Sequence, residues 1–313
     1  MSETIKKRIS NKPKKTIDND KKSASRNFAS KSKNAGASAS VTNKKESDFS
    51  KSPKSRASSA RKHSRSTVKK SASENSVRIV FLGGLNQIGK NIMAIECNDD
   101  IIIVDCGMSF PDGEMLGVDL VIPDFSYLES NRERIKGLVI THGHEDHIGS
   151  IPYLLRKINV PIYATPLTVG LITSKLKEHR LVGSTKLNTV NAGETITLGC
   201  MSVEFIRVNH SIPDAVGLAI RTPAGTIVHT GDFKIDCTPS RGEMIDLARF
   251  AEIGKEGVLA FMADSTNAER PGYTMTERKI DQSFERLFQK AGDKRIIIAT
   301  FASNIGRLQQ IIN

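Results

Sequence analysis

Four potential metal ligands occur within six residues of this 313-residue chain. His142, His144, Asp146 and His147 follow an apolar run that ends at Thr141, in the sequence LVITHGHEDHIG. Three of the seven histidines in the chain belong to this stretch. Imidazole nitrogens and a carboxylate, without sulfur, are the ligands that suit zinc or a related divalent ion. The cluster therefore indicates metal-dependent catalysis rather than a structural knot.

The spacing of the cluster predicts two metal positions rather than one. His142 and His144 flank Gly143 just past a strand end, so both rings can converge on one ion while the glycine allows a tight turn. Asp146 and His147 open the next helix and approach from a different origin. Four ligands from so short a segment are easier to divide between two ions, about 3.5 to 4 Å apart, than to place around one. Two ions then need a bridging ligand.

Further polar residues stand at the ends of apolar runs elsewhere in the chain. His210 closes MSVEFIRVNH, Asp232 closes TIVHTGD and Asp105 follows IIIV. A lone strand-end histidine or a Gly-Asp turn is usually structural, but beside the cluster both His210 and Asp232 are ligand candidates. Asp105 either caps its turn or orients a charged group beyond the strand, because a buried carboxylate without a partner is costly. His229 is interpreted as a packed strand residue.

The elements that must position these residues alternate between helix and strand patterns, which predicts an α/β layered fold. The strands expected are VRIVFLGG, NIMAIEC, IIIVDCG, residues 137–141, VPIYA, KLNTVN, ETITLG, MSVEFIRVNH, AVGLAIRT, TIVHTGD, GVLAFMAD and RIIIATF. The helices expected are residues 125–135, IGSIPYLLRKI, residues 166–180, residues 276–290 and a segment from about residue 304. Functional groups in such folds gather at strand ends.

The basic charge of the chain is concentrated in residues 1 to 76. This segment contains 21 Lys and Arg against 6 Asp and Glu, whereas residues 77 to 313 contain 25 against 28. It lacks apolar periodicity, so we predict a disordered Lys/Ser-rich tail. The tail is either an arm that binds nucleic acid through phosphate contacts or a solubilising segment. As a transit peptide it would place the protein in a plastid, although Lys dominates over Arg.

Cysteine usage and hydropathy exclude other classes of protein. The four cysteines form no close pair, so neither a disulfide framework nor a CxxC metal site is indicated, and a cytoplasmic location is expected. No run of about 18 apolar residues is present, so no membrane contact is predicted.

The motifs resemble those of the metallo-β-lactamase superfamily. HGHEDH, with Asp105, His210 and Asp232, is similar to its signature, which implies a fold and a pair of metals. The phrases NHSIPD, TGDFK, ADSTNA and ATFASN resemble those of the β-CASP nucleases, in the ribonuclease J family. The resemblance implies an αββα sandwich over residues 77–273, incomplete, followed by the beginning of a β-CASP domain over residues 274–313.

The resemblance also implies a role for each candidate residue and two zinc ions per subunit. The imidazoles implied for the first ion are those of His142, His144 and His210. Asp146 and His147 would help to hold the second ion, and Asp232 would bridge the two. Asp105 would orient a ligand imidazole. Asp146, His147, Asp232 and Asp105 are thus the expected catalytic residues.

Residues near the end of the chain resemble a substrate-binding segment. Phe301, Ala302 and Ser303 match the segment in which the family holds the RNA backbone, where Ser303 and adjacent amides would grip a phosphate. The alternative is that Ser303 or Asn304 simply caps a helix. Asp264 matches an acidic motif and would support the site by pairing with a catalytic histidine.

The activity implied is zinc-dependent hydrolysis of RNA phosphodiester bonds. It would be a 5′-to-3′ exonuclease with endonuclease activity, in RNA decay and in rRNA and mRNA maturation. The partners implied are 5′-monophosphorylated RNA, further copies of the subunit, and an RNA helicase or the ribosome. The alternatives are a hydrolase of the same fold that acts on DNA or a small ester, and an inactive, truncated RNA-binding protein.

Two further expectations follow from the resemblance. A structural calcium ion (Ca²⁺) is expected near Gly117 and Asp119. The family also continues beyond the point that matches Asn313, with a Gly/His phosphate-binding segment, a late metal-ligand histidine and a dimerising C-terminal domain. The chain is therefore expected to be an incomplete copy.

Overall fold

A computed structural model describes residues 76–239 and 242–313 of the chain. The tail predicted for residues 1 to 76 lies, except for its last residue, outside the described residues. The described elements form two β-sheets with helices on their outer faces.

The first sheet contains six strands in chain order. Their bounds are β1 Val77–Gly83, β2 Ile92–Cys97, β3 Asp100–Val104, β4 Ile135–Val139, β5 Ile162–Ala164 and β6 Leu187–Thr189. The first three strands pair antiparallel, and β3 to β6 run parallel. The hairpin predicted between β2 and β3 is confirmed.

The second sheet contains five strands in the order β11-β10-β9-β8-β7. Their bounds are β7 Thr195–Leu198, β8 Met201–Arg207, β9 Val216–Thr222, β10 Gly225–His229 and β11 Ala260–Met262. All neighbours pair antiparallel except β10 and β11, which are parallel.

Helices cover the sheets and continue beyond the last strand. Their bounds are α1 Ser126–Ser130, α2 Glu145–Ile148, α3 Ile151–Leu155, α4 Pro166–Glu178, α5 Leu247–Glu256, α6 Arg278–Ala291 and α7 Ile305–Ile312. A 3-10 turn over Arg132–Arg134 lies between α1 and β4. The four cysteines are free, and none of the helices in the described residues is long and apolar enough to cross a bilayer.

Alternating residues of β3 show how the sequence builds the layers. Ile101 and Ile103 pack into the cluster that lies beneath α1 to α4, whereas Ile102 and Val104 pack into the cluster between the two sheets. An uninterrupted apolar run is therefore required, because both faces of this strand are buried. On the far side of the second sheet, α5 packs through Ile253. The predicted αββα sandwich is confirmed.

One predicted strand is wrong. The sequence RIIIATF was expected to form a strand, but residues 295–300 have no regular structure. Ile296, Ile297 and Ile298 are 44%, 89% and 37% exposed. β-branched residues favour a strand only when a neighbour supplies hydrogen bonds and a packing surface, and no strand among residues 76–239 and 242–313 lies beside this segment.

Three helices also differ from the sequence prediction. The helix expected over residues 125–135 is divided at Asn131 into α1 and the 3-10 turn, and Ile135 already belongs to β4. The single helix expected over IGSIPYLLRKI is divided between the end of α2 and α3. Helix α5 was not predicted at all. The boundary between residues 273 and 274 stays a prediction.

Candidate metal centre

The predicted metal ligands lie in loops that follow the carboxyl ends of strands from both sheets. His142 and His144 follow β4, His210 follows β8 and Asp232 follows β10. Asp146 and His147 belong to the single turn α2, which begins directly after His144. The sandwich therefore brings residues up to 90 positions apart in the sequence to one edge of the molecule.

Three imidazole nitrogens converge on one point. His142 Nε2 and His210 Nε2 each lie 3.1 Å from His144 Nδ1. Two ligand atoms bound to a tetrahedral zinc ion at about 2.0 to 2.1 Å are about 3.3 Å apart. A neutral imidazole has one N–H, so these close nitrogens cannot all be satisfied by hydrogen bonds to one another. Their spacing and chemistry fit a metal ion.

Burial keeps these three imidazoles in the form that binds a metal. Burial, reinforced by the neighbouring imidazoles, lowers the pKa of His142 well below its usual value. Burial also lowers the pKa of His210 to about 4, although Asp232 opposes it, and lowers the pKa of His144. Neutral imidazoles with free lone pairs are therefore present at neutral pH.

A second set of ligand atoms lies beside the first. His147 Nε2 lies 3.4 Å from Asp232 Oδ1 and 3.6 Å from Asp146 Oδ2. The other oxygen of Asp232, Oδ2, faces the first set and lies 3.8 Å from His210 Nε2 and 4.0 Å from His142 Nε2. Asp232 thus presents one oxygen to each set, which is the arrangement that a bridging carboxylate needs.

Asp105 fixes the orientation of His147 through the ring nitrogen that does not face the second set. This carboxylate is 2% exposed, and its Oδ2 accepts a hydrogen bond of 2.8 Å from His147 Nδ1. Its Oδ1 accepts the backbone N–H of Thr141 at 2.8 Å. Burial lowers the pKa of His147, but Asp105 and Asp232 outweigh this and hold that pKa well above its usual value. With Nδ1–H bound to Asp105, Nε2 is the atom left for a metal.

Two glycines allow the backbone to place these groups. A Cβ atom at residue 107 would lie 1.5 Å from the carbonyl oxygen of Asp146, so only Gly107 lets α2 approach β3 so closely. Gly231 has a φ of 58° in the turn that presents Asp232.

The predicted substrate-binding segment lies in the same cleft as the metal ligands. This cleft of about 780 Å³ is lined by His144, Asp232 and the segment Phe301, Ala302 and Ser303. Phe301 is 83% exposed there. The cap of α7 is Asn304, whose side chain accepts the N–H of residue 307 at 3.0 Å.

Two predicted supporting sites stay predictions. Asp264 Oδ1 accepts the backbone N–H of Thr266 at 2.8 Å. No ion pair in residues 76–239 and 242–313 joins Asp264 to a histidine. Gly117 and Asp119 lie in an exposed loop, and no group of three His, Cys, Asp or Glu ligands in the described ranges includes Asp119. Calcium needs about six to eight oxygen ligands, so its site stays an unsupported prediction.

Sequence reasoning missed two residues of the site. Asn91, in the loop before β2, lies with its Nδ2 atom 3.1 Å from His147 Nε2. Phe110 is 71% exposed and lines the cleft with Phe301. Neither carries a spacing signal, because each is a single residue far from the cluster in sequence.

The αββα sandwich, with candidate metal ligands after its strands, agrees with the protein family that the sequence matches. Residues 86–252 match the family described as the metallo-beta-lactamase superfamily. The chain belongs to this superfamily.

Individual proteins that are similar to this chain include two ribonucleases. The chain is 51% identical over 236 residues to ribonuclease J 1 of Streptococcus pyogenes serotype M3, which covers 75% of this chain and 42% of that protein. It is 46% identical over 246 residues to ribonuclease J2 of Bacillus subtilis, covering 79% of this chain and 44% of that protein. The chain therefore spans less than half the length of these relatives.

A solved structure is similar in fold. The crystal structure of a protein of unknown function from Enterococcus faecalis V583 has a TM-score of 0.58 and 20% sequence identity, and covers 75% of this chain and 62% of that chain. At this identity the likeness concerns the fold alone.

Proposed function

We propose that this protein is a zinc-dependent ribonuclease that hydrolyses RNA phosphodiester bonds. The observation that carries the proposal is the double ligand set, in which His144 Nδ1 lies 3.1 Å from two other imidazole nitrogens and Asp232 faces both sets. The names of the relatives, ribonuclease J 1 and ribonuclease J2, support RNA as the substrate.

Each of the two metal positions would have its own set of ligands. The imidazoles that would hold one zinc ion are those of His142, His144 and His210. Asp146 and His147 would hold a second zinc ion, and Asp232 would contribute to both positions. When bound, such ions lower the pKa of water and neutralise phosphate charge. Asp105 keeps the His147 ring oriented and holds its Nδ1 proton.

The size and lining of the cleft beside the ligands favour a nucleic acid over a small ester as the substrate. It is an open groove of about 780 Å³, and the exposed rings of Phe110 and Phe301 lie along it. Aromatic side chains in such grooves bind successive bases by stacking. Ser303 adds a hydroxyl group in the same cleft, which suits a backbone phosphate.

The finer activity that we propose rests on the resemblance of the motifs. It is 5′-to-3′ exonucleolytic cleavage of 5′-monophosphorylated RNA with endonuclease activity, in RNA decay and in rRNA and mRNA maturation. We further propose that the protein acts in the cytoplasm, as a homo-oligomer in its full length, with an RNA helicase or the ribosome as a partner.

The test compares substrates and one matched pair of histidine variants. We expect the purified full-length protein with Zn²⁺ to cleave 5′-monophosphorylated RNA and not DNA of the same sequence or a small thioester. His144→Ala is expected to reduce the cleavage rate at least about 10²-fold, because an imidazole of the first set is lost. His179→Ala, which removes a histidine at the end of α4 outside the cluster, is the control.

Each outcome of this test distinguishes one hypothesis. DNA or thioester turnover without RNA turnover would contradict the proposal and favour another hydrolase of the same fold. RNA binding that persists in His144→Ala without any turnover in the unsubstituted chain would favour an inactive RNA-binding protein.

A further inference from the structure

We propose that Asn91 is a positioning residue for the second metal position, formed by Asp146, His147 and Asp232. Its side-chain amide contacts two of the ligands, Asp146 and His147, and holds them in place. The proposal rests on the metal site of the proposed function and not on its substrate.

The side chain of Asn91 contacts both ligands of α2. Its Nδ2 atom lies 3.1 Å from the carbonyl oxygen of Asp146, 3.4 Å from Asp146 Oδ2 and 3.1 Å from His147 Nε2. The backbone fixes the residue as well, because its N–H donates to the carbonyl of Asp146 at 3.1 Å and its carbonyl accepts from Gly107 at 2.9 Å. Asn91 therefore joins the turn before β2 to the ligand-bearing turn α2.

The contacts determine which way the amide faces. A carbonyl oxygen only accepts hydrogen bonds, so the donor Nδ2 has to face Asp146. Oδ1 then lies toward Gly84, where a Cβ atom would come within 2.8 Å of it. Gly84 thus leaves the space that this orientation of Asn91 requires.

The His147 ring is contacted at both of its nitrogens. Nδ1 donates to Asp105 at 2.8 Å, and the Nδ2 atom of Asn91 lies 3.1 Å from Nε2. Asp105 and Asn91 therefore fix the orientation of the ring, and with it the direction in which Nε2 points.

Asn91 retains partners when a metal takes the lone pair of Nε2. The carbonyl oxygen and Oδ2 of Asp146, at 3.1 and 3.4 Å, remain available as acceptors for its two hydrogens. The residue thus steadies Asp146 with or without an ion, which is the role that outer partners of metal ligands commonly have.

Four residues of the loop before Asn91 have positive φ values. Asn86 and Lys90 have φ values of 56° and 52°, in the left-handed region that residues with a side chain rarely adopt. Gly84 and Gly89 have φ values of 82° and 95° in the same loop. Such conformations persist where a site requires them, and here the loop ends at the amide that contacts the second ligand set.

The test measures zinc binding by the complete chain, without RNA. The two equivalents of Zn²⁺ are titrated against a chromophoric chelator, and Asp146→Ala identifies the step that belongs to the second position. Asn91→Ala and the nearly isosteric Asn91→Leu both remove the amide donor. We expect each to weaken the second step about 10- to 100-fold and the first step by less than about threefold.

A matched control and the unfolding transition complete the experiment. Asn159→Ala removes an exposed amide that donates to the carbonyl of Ser184 at 2.7 Å, and should change neither step. The proposal is overturned if both Asn91 variants bind the second equivalent within about threefold of the unsubstituted chain. Equal weakening of both steps, or loss of cooperative unfolding in both variants, would also overturn it, because the role would then be structural. Absence of ribonuclease activity would leave it standing.

Discussion

The surroundings of the four imidazoles in the candidate metal centre shift their pKa values in opposite directions. Burial dominates at His142, His144 and His210, whose pKa values are all lowered. At His147 the carboxylates of Asp105 and Asp232 outweigh burial, so its pKa is raised. Three rings thus offer lone pairs, while the fourth is anchored through its Nδ1 proton. The first set is assembled from neutral groups and the second around buried carboxylate charge.

The depressed pKa of His210 predicts a loss of stability in acid. Its folded pKa of about 4 lies below the unfolded value of about 6.5, so the unfolded state binds more protons between these pH values. The free energy of unfolding should therefore fall as pH falls from about 6.5 to about 4, by up to about 3 kcal/mol from this residue. Denaturant unfolding of metal-free protein should show a shallower fall in His210→Ala. A slope identical to that of the unsubstituted chain would contradict the prediction, and His179→Ala is the control.

One carboxylate connects the last two helices to the metal-bearing sheets. Glu277, at the N-terminus of α6, accepts a hydrogen bond from Lys234 Nζ at 2.8 Å and another from Arg307 Nη2 at 2.8 Å. Lys234 belongs to the segment after Asp232, and Arg307 lies in the first turn of α7. Burial raises the pKa of Glu277, but these two cations outweigh it and lower that pKa. Phe301 and Ser303, which line the cleft beside the ligands, directly precede α7.

Loss of this carboxylate should loosen α7 without disturbing the metal ligands. Glu277→Gln leaves the two half-buried cations without their shared anion, at a cost of about 1 to 2 kcal/mol for local opening. Backbone amide exchange in α7 should therefore become about 5- to 30-fold faster, while zinc binding is unchanged. Glu285→Gln removes an exposed carboxylate from the same helix and should change neither quantity. Unchanged exchange in Glu277→Gln would show that other contacts hold α7.

The sandwich as a whole explains which features the sequence could predict. Strand β3 was predictable because its apolar run faces cores on both sides, and the ligands were predictable because rare histidines cluster. RIIIATF carries the same kind of apolar signal, but pairing depends on a neighbour that its own residues do not encode. Asn91 was not predictable, since its contacts lie 55 and 56 residues away and only the folded sheet creates them.

The charge distribution of the whole chain predicts that the tail strengthens RNA binding through electrostatics. Residues 1 to 76 carry 21 Lys and Arg against 6 Asp and Glu, whereas the remainder is slightly acidic. Basic residues that neutralise phosphates release counterions, so the logarithm of the binding constant falls linearly with the logarithm of salt concentration. Deletion of residues 1 to 76 should therefore weaken RNA binding about 10- to 10³-fold at about 50 mM salt and reduce that slope.

The same deletion separates the two interpretations of the tail. Zinc binding should be unchanged, because every ligand of both sets lies between residues 142 and 232. Fluorescence anisotropy with labelled RNA at several salt concentrations measures the slope, and chelator competition measures zinc. If the slope is the same with and without the tail, its lysines do not contact phosphates and the segment is a solubilising one. If the slope falls when the tail is removed, the basic residues of the tail contact RNA phosphates. The metal ligands, by contrast, lie in the slightly acidic remainder of the chain.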